Sequence, residues 1–240
     1  MLRHAIILLG CQAGLAFADV QSWNAQHEFS IENGNPNGVW SYGWMPVDFS
    51  EFRLLEHPVW NGSGPQWAGW NGDGTPGIWR NDSQGYSYGI PPGWLSLHPG
   101  PGTEPSVLRW TAPVGGSYLI AGVFGPGDAG WIQVAVRVDG VTVWAAPNEG
   151  VFSVKAYVPA GGTVDFMAYG GYGFGNTALT ADIGVGCTAD FNRDGFVDFF
   201  DYDDFVVAFE AGDPASDAND DGFLDFFDYD AFVLSFETGC

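Results

Sequence analysis

Ile132-Gln133-Val134-Ala135-Val136-Arg137-Val138-Asp139-Gly140-Val141-Thr142-Val143-Trp144 alternates apolar and other side chains on both sides of an Asp-Gly pair. That is the pattern of two antiparallel strands joined by a tight turn. Working outward, Val107 to Thr111, Tyr118 to Phe124, Phe152 to Val158, Val164 to Ala168 and Leu179 to Ile183 show the same short runs bounded by Gly, Pro and Asn. Many strands at this spacing, with no long helical period between them, predict an antiparallel β-sandwich of jelly-roll type spanning residues 19–186. The part before Leu95, dense in Trp and Gly, is predicted to form long loops and edge strands.

The pattern changes after Cys187. Asp190-Phe191-Asn192-Arg193-Asp194-Gly195-Phe196-Val197-Asp198-Phe199-Phe200-Asp201 returns 27 residues later as Asp217-Ala218-Asn219-Asp220-Asp221-Gly222-Phe223-Leu224-Asp225-Phe226-Phe227-Asp228. In both copies oxygen donors stand at positions 1, 3, 5, 9 and 12 with glycine at 6, the ligand order of an EF-hand calcium loop. A hard divalent cation needs six to eight oxygens, and alternate early positions let one turn aim successive side chains inward. The predicted ligands are Asp190, Asn192, Asp194, Asp198 and Asp201 with the carbonyl of Phe196, and Asp217, Asn219, Asp221, Asp225 and Asp228 with the carbonyl of Phe223: two Ca2+ ions in loops 190–201 and 217–228. Val197 and Leu224 are predicted to turn inward. Tyr202, Phe205, Val206 and Phe209, and again Tyr229, Phe232, Val233 and Phe236, fall at i, i+3, i+4, i+7, so each loop leads into an amphipathic helix. No helical pattern precedes either loop, and Ala211 to Ser216 read as a linker.

Two such loops, each followed but not preceded by a helix and ending in aspartate, resemble the dockerin family. The resemblance covers residues 187–240 and implies a small α-helical module that needs calcium to fold. It also implies a cohesin-like or other extracellular protein as partner, met through loop positions 10 and 11, here Phe199, Phe200, Phe226 and Phe227. This sequence places aromatic pairs where the family usually carries small hydroxyl or polar residues.

Charge narrows the partners. Twenty-nine acidic against 7 basic residues give a net charge of −22, which excludes nucleic acid as a ligand. Fifteen of the acids follow Cys187, and the loop spacing assigns most of them to cation sites rather than to a solvated tail. Residues 1–18, with a basic start, an apolar stretch and Ala16-Phe17-Ala18, read as a signal peptide, so the protein is expected to be secreted to the exterior or the cell surface. Leu8-Leu9-Gly10-Cys11 offers the competing reading of a lipid-anchored cysteine. No other segment is apolar enough to cross a bilayer. Without the leader, Cys187 and Cys240 remain, at the borders of the acidic repeat; a disulfide between them is predicted, against the alternative of two free thiols.

All 11 tryptophans precede the repeat. Flat indoles beside loop glycines and asparagines make platforms for sugar rings. Trp44, Trp60, Trp67, Trp70 and Trp79 are the candidate polysaccharide-binding residues, with core packing as the competing role. Asn35 to Trp44, His98 to Pro101 and Arg109 to Pro113 are similar to segments of secreted bacterial jelly-roll domains found beside dockerin-like tails, a resemblance that implies fold and secretion rather than activity. For a glycosidase Glu51, Glu56, Asp73 and Asp82 are available, but none has a context that assigns catalysis, and Asp73 and Asp82 sit in turns whose backbone accounts for them. The histidines lack metal spacing, no G-x-S-x-G occurs, and no catalytic residue is assigned. The sequence thus leaves three readings. The first is a calcium-binding assembly protein that also binds carbohydrate; the second is a structural envelope or matrix protein with a calcium-stabilised cap; the third, weaker, is a polysaccharide hydrolase or lyase.

Overall fold

A computed structural model describes residues 22–185, 187–192, 197–219 and 222–238. The leader, Asp194, Phe196, Asp221 and Cys240, and with Cys240 the predicted disulfide, lie outside the described residues.

The chain forms β1 (Ser22–Asn24), α1 (Ala25–Glu28), β2 (Trp40–Trp44), β3 (Arg53–Leu54), β4 (His57–Trp60), β5 (Pro65–Ala68), β6 (Gly77–Arg80) and β7 (Leu95–His98). There follow β8 (Ser106–Thr111), β9 (Gly116–Gly125), β10 (Gln133–Val138), β11 (Val141–Pro147), β12 (Gly150–Val158), β13 (Thr163–Tyr169) and β14 (Thr177–Val185). All seven strands read from the sequence are present. At the hairpin, Asp139 and Gly140 both take positive φ (45° and 81°), as a two-residue turn between twisted strands requires, and Val138 pairs with Val141.

From β7 onward the chain crosses back and forth between two antiparallel sheets, staying in the second for the β10–β11 hairpin. One has the order β12-β9-β14-β7 and the other β11-β10-β13-β8, which is the strand order of a jelly roll. The segment before Leu95 forms long loops and strands that extend the sheet edges, as expected. β6, β5 and β4 continue the first sheet beyond β7, while β2 and β3 continue the second beyond β8. These strands are two to five residues long and interrupted by Gly and Pro, too short for their alternation to register. Pairing with an existing edge, rather than local propensity, holds them in place. Asn35 fastens two of them: its side chain donates to the carbonyls of Tyr42 and Leu55 and accepts from the Tyr42 N–H.

Aromatic side chains fill the space between the sheets. Trp23, Trp40, Trp110, Tyr118, Phe124, Phe152 and Phe166 are buried there, with Trp23 and Tyr118 packed on Trp110 at 5.1 and 4.8 Å. Outside the second sheet, the β2–β3 connection folds back so that Phe52 lies over the Arg109 guanidinium at 4.1 Å. Beneath it Arg109 grips the buried Asp165 with two bonds of 2.7 and 2.9 Å. β14 ends at Val185, opposite Tyr118 near the start of β9. The chain therefore leaves the sandwich at the end away from the β9–β10 and β13–β14 connections.

After β14 come α2 (Phe199–Ala211), a single 3-10 turn at Pro214–Ser216 and α3 (Phe226–Thr238). Asp198 caps α2 in a capping box with Asp201, and Gly212 ends it in the left-handed conformation. The two helices are related as the repeat predicts. Phe205 and Phe232, equivalent positions, stack at 3.9 Å with 2° between their planes. Tyr202 meets Phe236 and Phe209 meets Tyr229 in matching contacts. Val197, predicted to turn inward, is 41% exposed, whereas Phe191 packs on both Phe205 and Phe232.

Candidate functional site

The outer face of the first sheet carries small side chains where β9 and β14 meet, with Ala178 paired to Gly125. A trough results. The β6–β7 connection folds over it: Trp94 packs on a cluster of Trp79, Ile90 and Ala178, and the Trp79 indole N–H donates to Asn176 at 3.0 Å. What stays open is a cavity of about 470 Å³ walled by Tyr86, Trp94, Val123, Gly125, Glu149 and Val151. Its volume lies in the range of small-molecule sites. Gly125 sets the depth, since a Cβ there would stand 3.2 Å from the Ala178 methyl and 3.7 Å from the Trp94 ring. The arrangement offers two aromatic walls and an apolar floor, with Glu149 as the one charged lining residue among those described.

Three connections are locked together beside this cavity. A Cβ on Gly89 would come within 1.7 Å of the Gly127 carbonyl, and one on Gly127 within 1.7 Å of the Asn176 carbonyl. Their backbones touch. These connections carry exposed rings: Tyr86 (76% exposed), Tyr88, Trp131 (88%) and Phe174 (75%). Asn148 exchanges two hydrogen bonds with Ile132, which sets Trp131 beside the turn that holds Glu149. Tyr88 and Phe174 both adopt φ near +50° to +57°, a conformation that costs a bulky residue about 1–3 kcal/mol and that persists only where surroundings enforce it. Gly127→Ala is expected to cost about 1–3 kcal/mol from overpacking, besides the strain of its φ of +57°. Thermal unfolding of the sandwich reads this directly; an unchanged midpoint would contradict the close approach.

The five tryptophans singled out in the sequence separate. Trp67 and Trp79 are buried (4% and 3% exposed), so neither offers a ring face to a sugar: Trp67 stacks on Tyr42 and donates to the Ser30 carbonyl, while Trp79 supports Trp94. Trp44 is half-buried, packed edge-on against Trp70 at 4.3 Å with the Arg53 guanidinium above it. Trp60 and Trp70 are exposed. None of the five lines the cavity. The residues that do were signalled weakly, by Tyr86 and Tyr88 between glycines and by Pro91-Pro92-Gly93-Trp94 before β7.

Of the four carboxylates weighed for hydrolysis, Glu51, Asp73 and Asp82 are occupied locally. Asp82 pairs with Arg80 and Glu51 with Arg53. Asp73 accepts from the Thr75 N–H and hydroxyl, from Asn71 and from the Tyr172 hydroxyl. Burial works to raise the Asp73 carboxyl, but these bonds together hold it below the usual carboxylate range, and the bond to Asp73 pushes the Tyr172 phenol up.

In the C-terminal repeat the position-12 carboxylates close their loops. Asp201 accepts from the N–H groups of Asn192 and Asp198, and Asp228 from those of Ala218, Asn219 and Asp225, at 2.8 to 3.2 Å. Both are fully buried. Asp198 and Asp225 each cap the following helix by accepting from Phe200 and Phe227. Among the described residues no three metal-binding side chains converge. The position-5 donors of both loops, Asp194 and Asp221, fall outside those residues. What is present suits a hard cation: all the described side-chain donors are oxygens, and each loop encloses a carboxylate whose described partners are neutral N–H groups.

Phe199, Phe200, Phe226 and Phe227 are all exposed, by 67–70%. Phe199 stacks on Tyr202 and Phe226 on Tyr229, and the two tyrosine hydroxyls are hydrogen-bonded to each other. A continuous aromatic row thus crosses the helix pair. Of the four candidate docking residues, Phe199 and Phe226 belong to this row.

No protein-family model matches the sequence, and no curated protein matches it. Among solved structures, a family 35 carbohydrate-binding module from Clostridium thermocellum overlaps 39% of this chain and 78% of its own, at 14% identity and a TM-score of 0.28. A family 35 module from Paenibacillus barcinonensis overlaps 42% and 82% at 12% identity and a TM-score of 0.27. A cleaved adhesin domain of Lys-gingipain from Porphyromonas gingivalis overlaps 44% and 86% at 18% identity and a TM-score of 0.29. These are loose, partial overlaps.

Proposed function

We propose that this is a secreted attachment protein: a jelly-roll domain that binds carbohydrate in the cavity between Tyr86, Trp94 and Glu149, carried on a calcium-folded, dockerin-like C-terminal module. The observation that carries the reading of the module is the matched burial of Asp201 and Asp228. Two carboxylates enclosed within an acidic repeat leave negative charge that a bound cation balances. Calcium would be held by Asp190, Asn192, Asp194, Asp198, Asp201 and the Phe196 carbonyl in the first loop. In the second, Asp217, Asn219, Asp221, Asp225, Asp228 and the Phe223 carbonyl take the same places. The ions supply charge neutralisation, and the loops then hold the first turns of α2 and α3 in position. Export under residues 1–18 and a Cys187–Cys240 disulfide belong to the same proposal, since an oxidising exterior suits both.

Carbohydrate binding is supported by the aromatic walls of the cavity and by its place near the end of the sandwich away from Val185, where the chain continues toward the module. The exposed row through Phe199, Tyr202, Tyr229 and Phe226 supports a protein partner for the module, because apolar surface of this extent marks interaction sites.

Calorimetric titration of calcium into the oxidised protein tests the module. Two binding events are expected, lost in the Asp190→Ala, Asp217→Ala double variant, and a chelator is expected to melt the C-terminal helices while the sandwich stays folded. Absence of binding would leave the acidic repeat as a solvated segment and remove the dockerin-like reading.

A further inference from the structure

We infer that the cavity selects an uncharged glycan and rejects acidic ones. The inference rests on the proposed carbohydrate binding and adds the ligand's charge. A uronate or sulfate sugar needs a cation or a set of convergent donors to replace its lost hydration. Among the described residues the arginines are committed: Arg53 to Glu51, Arg80 to Asp82, Arg109 to Asp165, and Arg137 to the Gly140 carbonyl beneath Phe49. Lys155 lies on β12 four residues beyond Val151, about 13 Å along the strand from the cavity wall.

The charged side chain that does line the cavity is Glu149. It repels an anion and accepts hydrogen bonds from hydroxyls, the groups a neutral sugar presents on the edge of a ring whose C–H face lies on an aromatic wall. A net charge of −22 repels polyanions over the longer range as well. Local and global electrostatics therefore act in the same direction.

The test uses the full mature chain with calcium present and compares neutral oligosaccharides (β-glucan, xylan and mannan fragments) with acidic ones (alginate and polygalacturonate fragments) by calorimetry at low salt. Neutral fragments are expected to bind, with affinity little changed by added salt. Tyr86→Ala, at a position 76% exposed, is expected to weaken that binding by about tenfold or more. Glu149→Lys is expected to weaken neutral binding and to admit the acidic fragments. Binding of acidic fragments by the unaltered protein, with or without calcium, would overturn the charge selection while leaving the carbohydrate reading in place. Failure of every fragment to bind would overturn both.

Discussion

Replacing Asp201 and Asp228 together by alanine is expected to unfold the C-terminal helices at every calcium concentration while the sandwich remains intact. Each carboxylate accepts at least two backbone N–H bonds from within its own loop. Hydrogen bonds to a charged group are worth about 1.5–3 kcal/mol each, so each site stands to lose about 3–6 kcal/mol. A module of this size holds little stability in reserve. The helices cannot compensate, because their mutual contact centres on the Phe205–Phe232 stack, which needs both first turns anchored. Far-UV circular dichroism of the full chain, followed through a calcium titration, measures the loss. Retention of the helical signal would show that the aromatic stack, rather than the loops, organises the module, and calcium would then not be coupled to its folding.

The second large effect is expected in the sandwich. Arg109→Ala leaves Asp165 on β13, whose side chain is 1% exposed, without its guanidinium partner on β8. Breaking a buried pair costs about 3–5 kcal/mol. The lower end is expected here because Arg109 is partly exposed. Phe52 also loses the cation beneath its ring. The double variant Arg109→Met, Asp165→Leu removes both charges and keeps apolar volume, and is expected to recover most of the loss. Urea unfolding followed by tryptophan fluorescence separates these outcomes; a single variant within 1 kcal/mol of the parent would mean that solvent reaches Asp165.

How far the sequence reached depends on whether the deciding interactions were local. The strands from Ser106 onward were legible because each is long enough to show its alternation and is bounded by turn residues such as Asp139-Gly140. The duplicated loops were legible because they match position by position 27 residues apart, and the helices because Phe205 and Phe209 recur one turn apart. The strands before Leu95 were not. At two to five residues they take their conformation from the sheet edges they join.

The cavity shows the same division. By itself the sequence determined that this chain carries a β-sandwich pattern followed by an acidic, duplicated repeat, and that its tryptophans all lie in the first of the two. Which aromatics are hidden was decided by tertiary structure. Trp67 went into the core between the sheets, Trp79 was covered on the outer face by the β6–β7 connection, and Tyr86 and Trp94 came to wall a cavity because that same connection folds across the trough at Gly125 and Ala178. Those contacts join residues far apart in the chain, and glycines at 89, 125 and 127 permit them by leaving space that no local pattern records.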